Sequence, residues 1–372
     1  MIPIRMKKRI KILLNLLWLI PFSGLASNDE TVYLPYEETK SIRKSFAANS
    51  STTVEIINKY GDISVETWDK DSVRFEVNIT ARASKLSSAR ELFEMADVKF
   101  TANSSVVLAS LLWGENVNAF KRGSVEMTLA AGSSQEIRID YKVYMPVNST
   151  IKIENRFGDL FLPEIKGKTY ISLWHGNLRG ENIKNAKSIE VKYGDIKLKS
   201  VTEGELEILF GDIEIENAGE LNIHASSGTV EIENIEDLHI EGTNNKIRIE
   251  SAEEINIDLL LSDIRVRKLK KKFTAVTKMC DIKIDRTESS FQVIDCNSFG
   301  GDINLSFDPS SSFLFEANLE KSKTYQADEK FVLSEDELLG GIRMIEGRIG
   351  QSEQKKVVLN VKSCSVYLSI AD

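Results

Sequence analysis

Aspartates following glycine at regular intervals are the first residues in this sequence that could do chemistry. The unit is an aromatic or aliphatic residue followed by Gly-Asp-Ile: Tyr60-Gly61-Asp62-Ile63, Phe157-Gly158-Asp159-Leu160, Tyr193-Gly194-Asp195-Ile196 and Phe210-Gly211-Asp212-Ile213. A repeat that brings carboxylates to one face could hold calcium, because like charges about 5 Å apart repel by about 1 kcal/mol even in a water-like dielectric. Asp195 and Asp212 are the candidate calcium ligands. The nonapeptide signature of calcium-binding β-rolls is absent, and Thr229 and Lys246 interrupt the row. These corners therefore read first as turns. Glycine supplies a backbone shape with φ > 0, Asn245 is the next best residue for it, and the aspartates (Asp159, Asp195, Asp212, Asp263, Asp281, Asp302) bond nearby amides to hold the corner.

The other titratable groups are weaker candidates. His175 stands where the corners carry an aromatic ring and reads as a packed one. His224 and His239 fall on adjacent repeats, but a zinc site draws three or four ligands. Glu205, Glu207, Glu214, Glu216, Glu231 and Glu233 form an acidic band. Arg265, Arg267, Lys268, Lys270, Lys271 and Lys272 form a basic one, the candidate patch for an anionic ligand such as a surface polysaccharide or a lipid head group. Solvated faces that resist edge-to-edge aggregation account for both bands as well. Cys280, Cys296 and Cys364 are odd in number and make no disulfide framework. No catalytic constellation, resident metal or cofactor is called for, so the chain reads as non-enzymatic.

The elements that position these residues follow from self-similarity. Degraded copies of the motif continue at Asn177-Leu178, Thr229-Val230, Lys246-Ile247, Asp263-Ile264, Asp281-Ile282 and Asp302-Ile303, and from Leu160 to Ile282 the aliphatic residue returns every 17 or 18 positions. Seven positions before it run Ile153, Ile171, Ile189, Leu206, Ile223, Ile240, Ile257 and Ala275. Five positions after it run Ile165, Ile183, Val201, Ala218, Ile235, Ala252 and Leu269, then Thr287 and Asp308. Tight Gly-Asp turns fit a hairpin meander too, but a meander has no reason to keep an apolar residue at constant phase in its return segment. A parallel β-solenoid does, because that segment is a third side of each rung and neighbouring rungs complete each other's core. The chain therefore divides into residues 27–146 as an N-terminal β cap with one short helix over 87–96, 147–308 as an all-β solenoid, and 309–372 as a C-terminal cap. In the last, Phe313 to Phe331 reads as irregular, Gly340, Gly341, Gly347 and Gly350 as punctuating a loop, and Val357 to Ile370 as a strand.

Residues 1–26 differ from everything after them. Basic residues from Arg5 to Lys11, the apolar run Ile12 to Phe22 and Gly24-Leu25-Ala26 predict a secretory signal peptide, with no transmembrane segment in the mature chain. A net charge of −8 argues against a nucleic-acid partner, which would need a basic excess.

Val54 to Val77, Ile139 to Pro146 and the Asn-Arg-Phe-Gly-Asp-Leu stretch that follows resemble the bacterial putative-adhesin family of unknown function, adhesin-like β-solenoid proteins of the cell envelope. The resemblance covers nearly the whole mature chain, and it implies an exported envelope protein, periplasmic or at the cell surface, acting as a binding or scaffold surface. Its partner would be a surface polysaccharide or another envelope protein. A polysaccharide-processing β-helix enzyme and a periplasmic partner in envelope signalling are the alternatives.

Overall fold

The structure is a computed structural model that describes residues 33–131, 134–322, 324–351 and 354–371. The expected signal peptide lies outside the described residues. From Leu34 onward the chain forms one compact, mostly parallel β unit.

The aliphatic ladders pair in register. Ile153, Ile171, Ile189, Leu206, Ile223, Ile240, Ile257 and Ala275 are hydrogen-bonded neighbours in sequence order, each 3% exposed or less. Leu160, Leu178, Ile196, Ile213, Val230, Ile247, Ile264, Ile282 and Ile303 do the same on the other side of the corner. The third ladder, from Ile165 to Thr287, is in register too. Its last step goes from Thr287 to Phe307 rather than to Asp308, because the pairing slips by one residue after Ile284. A parallel pair of strands buried on one face would normally need a helical crossover. Here each 17- or 18-residue turn of chain lays the next strand directly on the last, which gives a solenoid-like stack.

The stack reaches beyond the clearest repeats. Thr53–Ile57 and Ile63–Trp68 pair in parallel with Thr150–Arg156 and Leu160–Leu162, so the Tyr60 corner is the first rung of the array. Outside it, Ile63–Trp68 pairs with Gln135–Pro146, which runs antiparallel to Ser72–Ala83, itself antiparallel to the edge strand Tyr36–Ala47. Strand Lys356–Ile370 lies parallel to Val293–Phe307 along its whole length, and Phe313–Glu320 and Thr324–Ala327 pair in parallel on its other side to extend the stack.

Three expectations need correction. The N-terminal region has two helices, α1 (Leu86–Met95) and α2 (Ala119–Ala131), rather than one. In α1 the buried side chains Ala89, Leu92 and Met95 make a normal stripe. In α2 Val125 is buried while Phe120 and Met127 point outward, so no stripe announces it. Phe313–Glu320 is a strand rather than irregular chain, and Phe291, Phe307, Phe313 and Phe331 close the C-terminal core around it, with the Phe307 and Phe313 rings 4.5 Å apart. The glycines from 340 to 350 punctuate a hairpin, Val332–Leu339 against Ile342–Ile349, turning at Gly340-Gly341 with φ of 61° and 87°. No helix among the described residues is long and apolar enough to cross a membrane.

Candidate functional site

The corner is built differently from what glycine's presence implies. The residue in the left-handed region is the one before the glycine: Phe157, His175, Tyr193 and Phe210 have φ of 59°, 55°, 58° and 55°. Glycine is required for closeness. A Cβ on Gly194 would lie 2.7 Å from the carbonyl carbon of Gly176 on the neighbouring rung and closer still to its oxygen, and Gly158, Gly176, Gly211 and Gly228 are crowded in the same way. Where the column changes to Asn245, Ser262 and Cys280, short polar side chains bond neighbouring backbone instead: Asn245 Nδ2 donates to the Ala225 carbonyl at 2.8 Å and the Ser262 amide to Cys280 Sγ at 3.3 Å.

Each corner carboxylate binds the next rung. Asp62 Oδ1 accepts the Asp159 amide at 2.8 Å, Asp159 Oδ1 the Asn177 amide at 2.8 Å, Asn177 Oδ1 the Asp195 amide at 3.0 Å, Asp195 Oδ1 the Asp212 amide at 2.9 Å, and Asp212 Oδ1 the Thr229 amide at 2.7 Å. One oxygen of Asp195 and one of Asp212 are thus engaged in a structural chain of side-chain-to-backbone bonds. Among the described residues no three His, Cys, Asp or Glu side chains converge as a metal site.

The six basic residues adjacent in sequence separate in space. Arg265 and Arg267 project from the side that follows the corner, with Lys268 at its border. Lys270, Lys271 and Lys272 lie past buried Leu269 at a register shift, where Lys272 stands opposite Glu254 and Lys271 pairs with Glu253. The first three gain companions from neighbouring rungs. Arg248, Arg265 and Lys283 occupy one column on three consecutive rungs, and Arg286 stands beside Lys268. Together with Glu250, Asp263 and Asp285 they line an open groove of about 720 Å³, adjoined by a second of about 460 Å³ that Lys268 and Glu288 border.

Carboxylates order the groove without neutralising it. Arg265 Nε bonds Asp285 at 2.8 Å, Lys283 approaches the same carboxylate at 3.3 Å, and Arg267 bonds Glu250 at 2.9 Å. Burial pushes the Asp285 carboxyl up, but its hydrogen bonds from Arg265 and Lys283 outweigh this and hold it below the usual range. Asp308, bonded by the Ser310 side chain and amide and then by Arg286, is held down to about 2. Arg248 has only a 3.9 Å approach to Glu231 and is the least committed of the cations. A row of exposed guanidinium and ammonium groups can bind anions by charge and by bidentate bonding. Sequence order alone hides Arg248, Lys283 and Arg286 as members of the groove; aligning the rungs by the 17- or 18-residue period finds them.

The remaining candidates have structural places. His175 lies between Phe157 and Tyr193 with ring centroids 5.2 and 4.8 Å away, in an exposed stack rather than a buried one. His224 Nδ1 meets Glu241 at 2.9 Å, and His239 borders the same shallow depression. The acidic band divides between the two sides of the corner: Glu205 and Glu207 precede it, whereas Glu214, Glu216, Glu231 and Glu233 follow it. Cys280, Cys296 and Cys364 are buried free thiols, all pushed up by desolvation.

Residues 201–336 match the family described as Toastrack DUF4097. Among solved structures the chain is similar to a "putative adhesin" from Bacteroides fragilis NCTC 9343, with 13% identity over 72% of this chain and 97% of that one and a TM-score of 0.33. It is also similar to a "putative adhesin" from Parabacteroides distasonis ATCC 8503, with 12% identity over 89% and 97% and a TM-score of 0.31. A "putative lipid binding protein" from the same strain shows 12% identity over 73% and 94%, with a TM-score of 0.29. No curated protein matches. The family match is thus confined to residues 201–336, within and just beyond the repeat array, and agrees with the resemblance read from the sequence.

Proposed function

We propose that this chain is an exported, non-catalytic envelope protein whose β-solenoid presents flat sides as a binding surface, and that the cationic groove is where it meets an anionic polymer such as an acidic polysaccharide. The observation that carries the proposal is the column Arg248–Arg265–Lys283, flanked by Arg267, Lys268 and Arg286, on a protein whose net charge is −8. Rungs repeat at about 4.8 Å, so the column is a regular row of positive charge that suits a polymer with regularly spaced carboxylate or sulfate groups. A local basic row on an acidic protein favours a specific charged ligand over general adhesion to anionic surfaces.

The test is retention on an immobilised acidic polysaccharide, heparin serving as probe, with neutral dextran as control. Wild-type protein elutes from the acidic matrix only at raised salt and passes through the neutral one, while R248E/R265E/K283E elutes early. Equal retention of the variant, or no retention of the wild type, removes the groove from the proposal. Product analysis of the eluted glycan tests the non-catalytic part: cleavage of the chain would restore the enzymatic alternative.

A further inference from the structure

The corner ridge combines two local costs that folding alone does not require. Phe157, Tyr193, Phe210, Leu261 and Met279 all have φ between 52° and 59°, where bulky side chains are strained by about 1 kcal/mol or more. All five are also 48% to 56% exposed. Stacking of rings from Tyr60 to Phe210, at centroid separations of 4.8 to 5.7 Å, explains part of the aromatic half. It explains nothing about Leu261 and Met279, which asparagine or glycine would replace without strain. Leu260 and Phe299, 38% and 43% exposed, widen the apolar strip at that end.

We infer that the ridge is a homodimer interface in which a second copy of this chain packs corner to corner, parallel and in register, about a two-fold axis along the stack. The flanking charges select this arrangement. Just before the corner stand Arg156, Lys192 and Lys278; two residues after it, on the same rungs, stand Asp159, Asp195 and Asp281. A parallel two-fold sets the flank preceding the corner in one copy against the flank following it in the other, at the same level. Arg156 then faces the partner's Asp159, Lys192 the partner's Asp195, and Lys278 the partner's Asp281, each pair formed twice. An antiparallel two-fold would lay the column two residues after the corner against itself, and that column carries Asp159, Asp195, Asp212, Asp263, Asp281 and Asp302 with Lys246 as its one cation. Ridge residues meet their own counterparts in the parallel dimer, so apolar rungs oppose apolar rungs and the polar pair Ser227 and Asn244 opposes itself. Nine rungs at about 4.8 Å give about 40 Å of contact, and with both flanks the total buried area is about 1,200 to 1,600 Å², the range of a specific, stable interface.

The purified chain is examined by sedimentation equilibrium at several concentrations, with unfolding followed separately. Wild type sediments as a dimer. Leu261→Asn with Met279→Asn weakens the dimer at least about tenfold without lowering the stability of the subunit, because asparagine tolerates the left-handed backbone. Lys192→Asp weakens it about tenfold, and adding Asp195→Lys restores it, since the swapped charges meet again across the axis. Ser227→Cys and Met279→Cys, made separately, each cross-link to their own counterpart under oxidation. An antiparallel dimer could cross-link at one level at most. A monomer at all concentrations, or a dimer that cross-links at neither position, overturns the inference.

Discussion

The crowding at the glycine column makes Gly194→Ala the sharpest perturbation of the stack. Its new methyl carbon would start 2.7 Å from the Gly176 carbonyl carbon, whereas unstrained carbon contacts lie at about 3.5 to 4.0 Å, so the two rungs must part by about 1 Å. The obstacle is backbone on both sides and cannot rotate away. Opening the corner strains three bonds between these rungs: the His175 amide to the Lys192 carbonyl at 2.9 Å, the Leu178 amide to the Asp195 carbonyl at 2.8 Å, and the Asp195 amide to Asn177 Oδ1 at 3.0 Å. With overpacking at about 1 to 3 kcal/mol and each of the three bonds contributing about 1 kcal/mol net, the expected loss is about 4 to 6 kcal/mol if all three are lost. Guanidinium unfolding followed by circular dichroism reads it, with Gly123→Ala as the internal control. Gly123 sits within α2 with nothing within 4 Å of a built Cβ, so the same change there is neutral or stabilises by about 0.5 to 1 kcal/mol. If Gly194→Ala fell within about 0.5 kcal/mol of wild type, the close-approach explanation of the glycine column would be wrong.

Asp195→Ala removes the acceptor of the Asp212 amide and costs about 1 to 2 kcal/mol, while Asp195→Asn, which repeats the native chemistry of Asn177, costs far less; unfolding curves of the two separate an amide acceptor from a calcium ligand. Calcium titration should leave the melting temperature of the wild type unchanged if the corner carboxylates act only as those acceptors. Glu126 ties α2 to the first rung by accepting from Lys59 at 2.6 Å and from Trp113 Nε1 at 3.0 Å, and these bonds, that from Lys59 foremost, hold its carboxyl below the usual range. The stabilisation is full above the carboxyl's unfolded value and is lost as pH falls through the lowered folded one, so Trp113 emission should change on acidification; Glu126→Gln should show the change already at neutral pH. Protease treatment of intact cells tests the envelope proposal: digestion without lysis is expected for a surface protein, and protection until the outer barrier is opened for a periplasmic one.

The rung was legible because its signal is repeated. One Ile or Leu proves nothing, but a register of 17 or 18 held from Leu160 to Ile282 constrains every side chain between. What the sequence could not show is where a residue lies when the third dimension reorders it. Arg265 and Lys272 are seven residues apart and lie on different sides of the rung, whereas Arg248 and Lys283 are thirty-five apart and share a column with Arg265. The left-handed position was misassigned to glycine because propensity points there; stacked rings and tight rung contact place Phe, His and Tyr in it instead. Helix α2 was missed because Gly123 interrupts it and its apolar side chains face both ways. The Gly340-Gly341 turn was seen, but Val332–Leu339 beside it is exposed at every position and so shows none of the alternation that marks a half-buried strand.

The central claim is that outward residues one period apart stack directly above one another. Spin labels at Lys197 and Lys283, five rungs apart in one column, and at Lys197 and Tyr367, seven rungs apart, measure it by pulsed dipolar spectroscopy. At about 4.8 Å per rung the stack predicts separations near about 24 and about 34 Å, rising in proportion to the number of rungs between the labels. Separations that fail to grow with rung number, as folded-back hairpins would give, would contradict it.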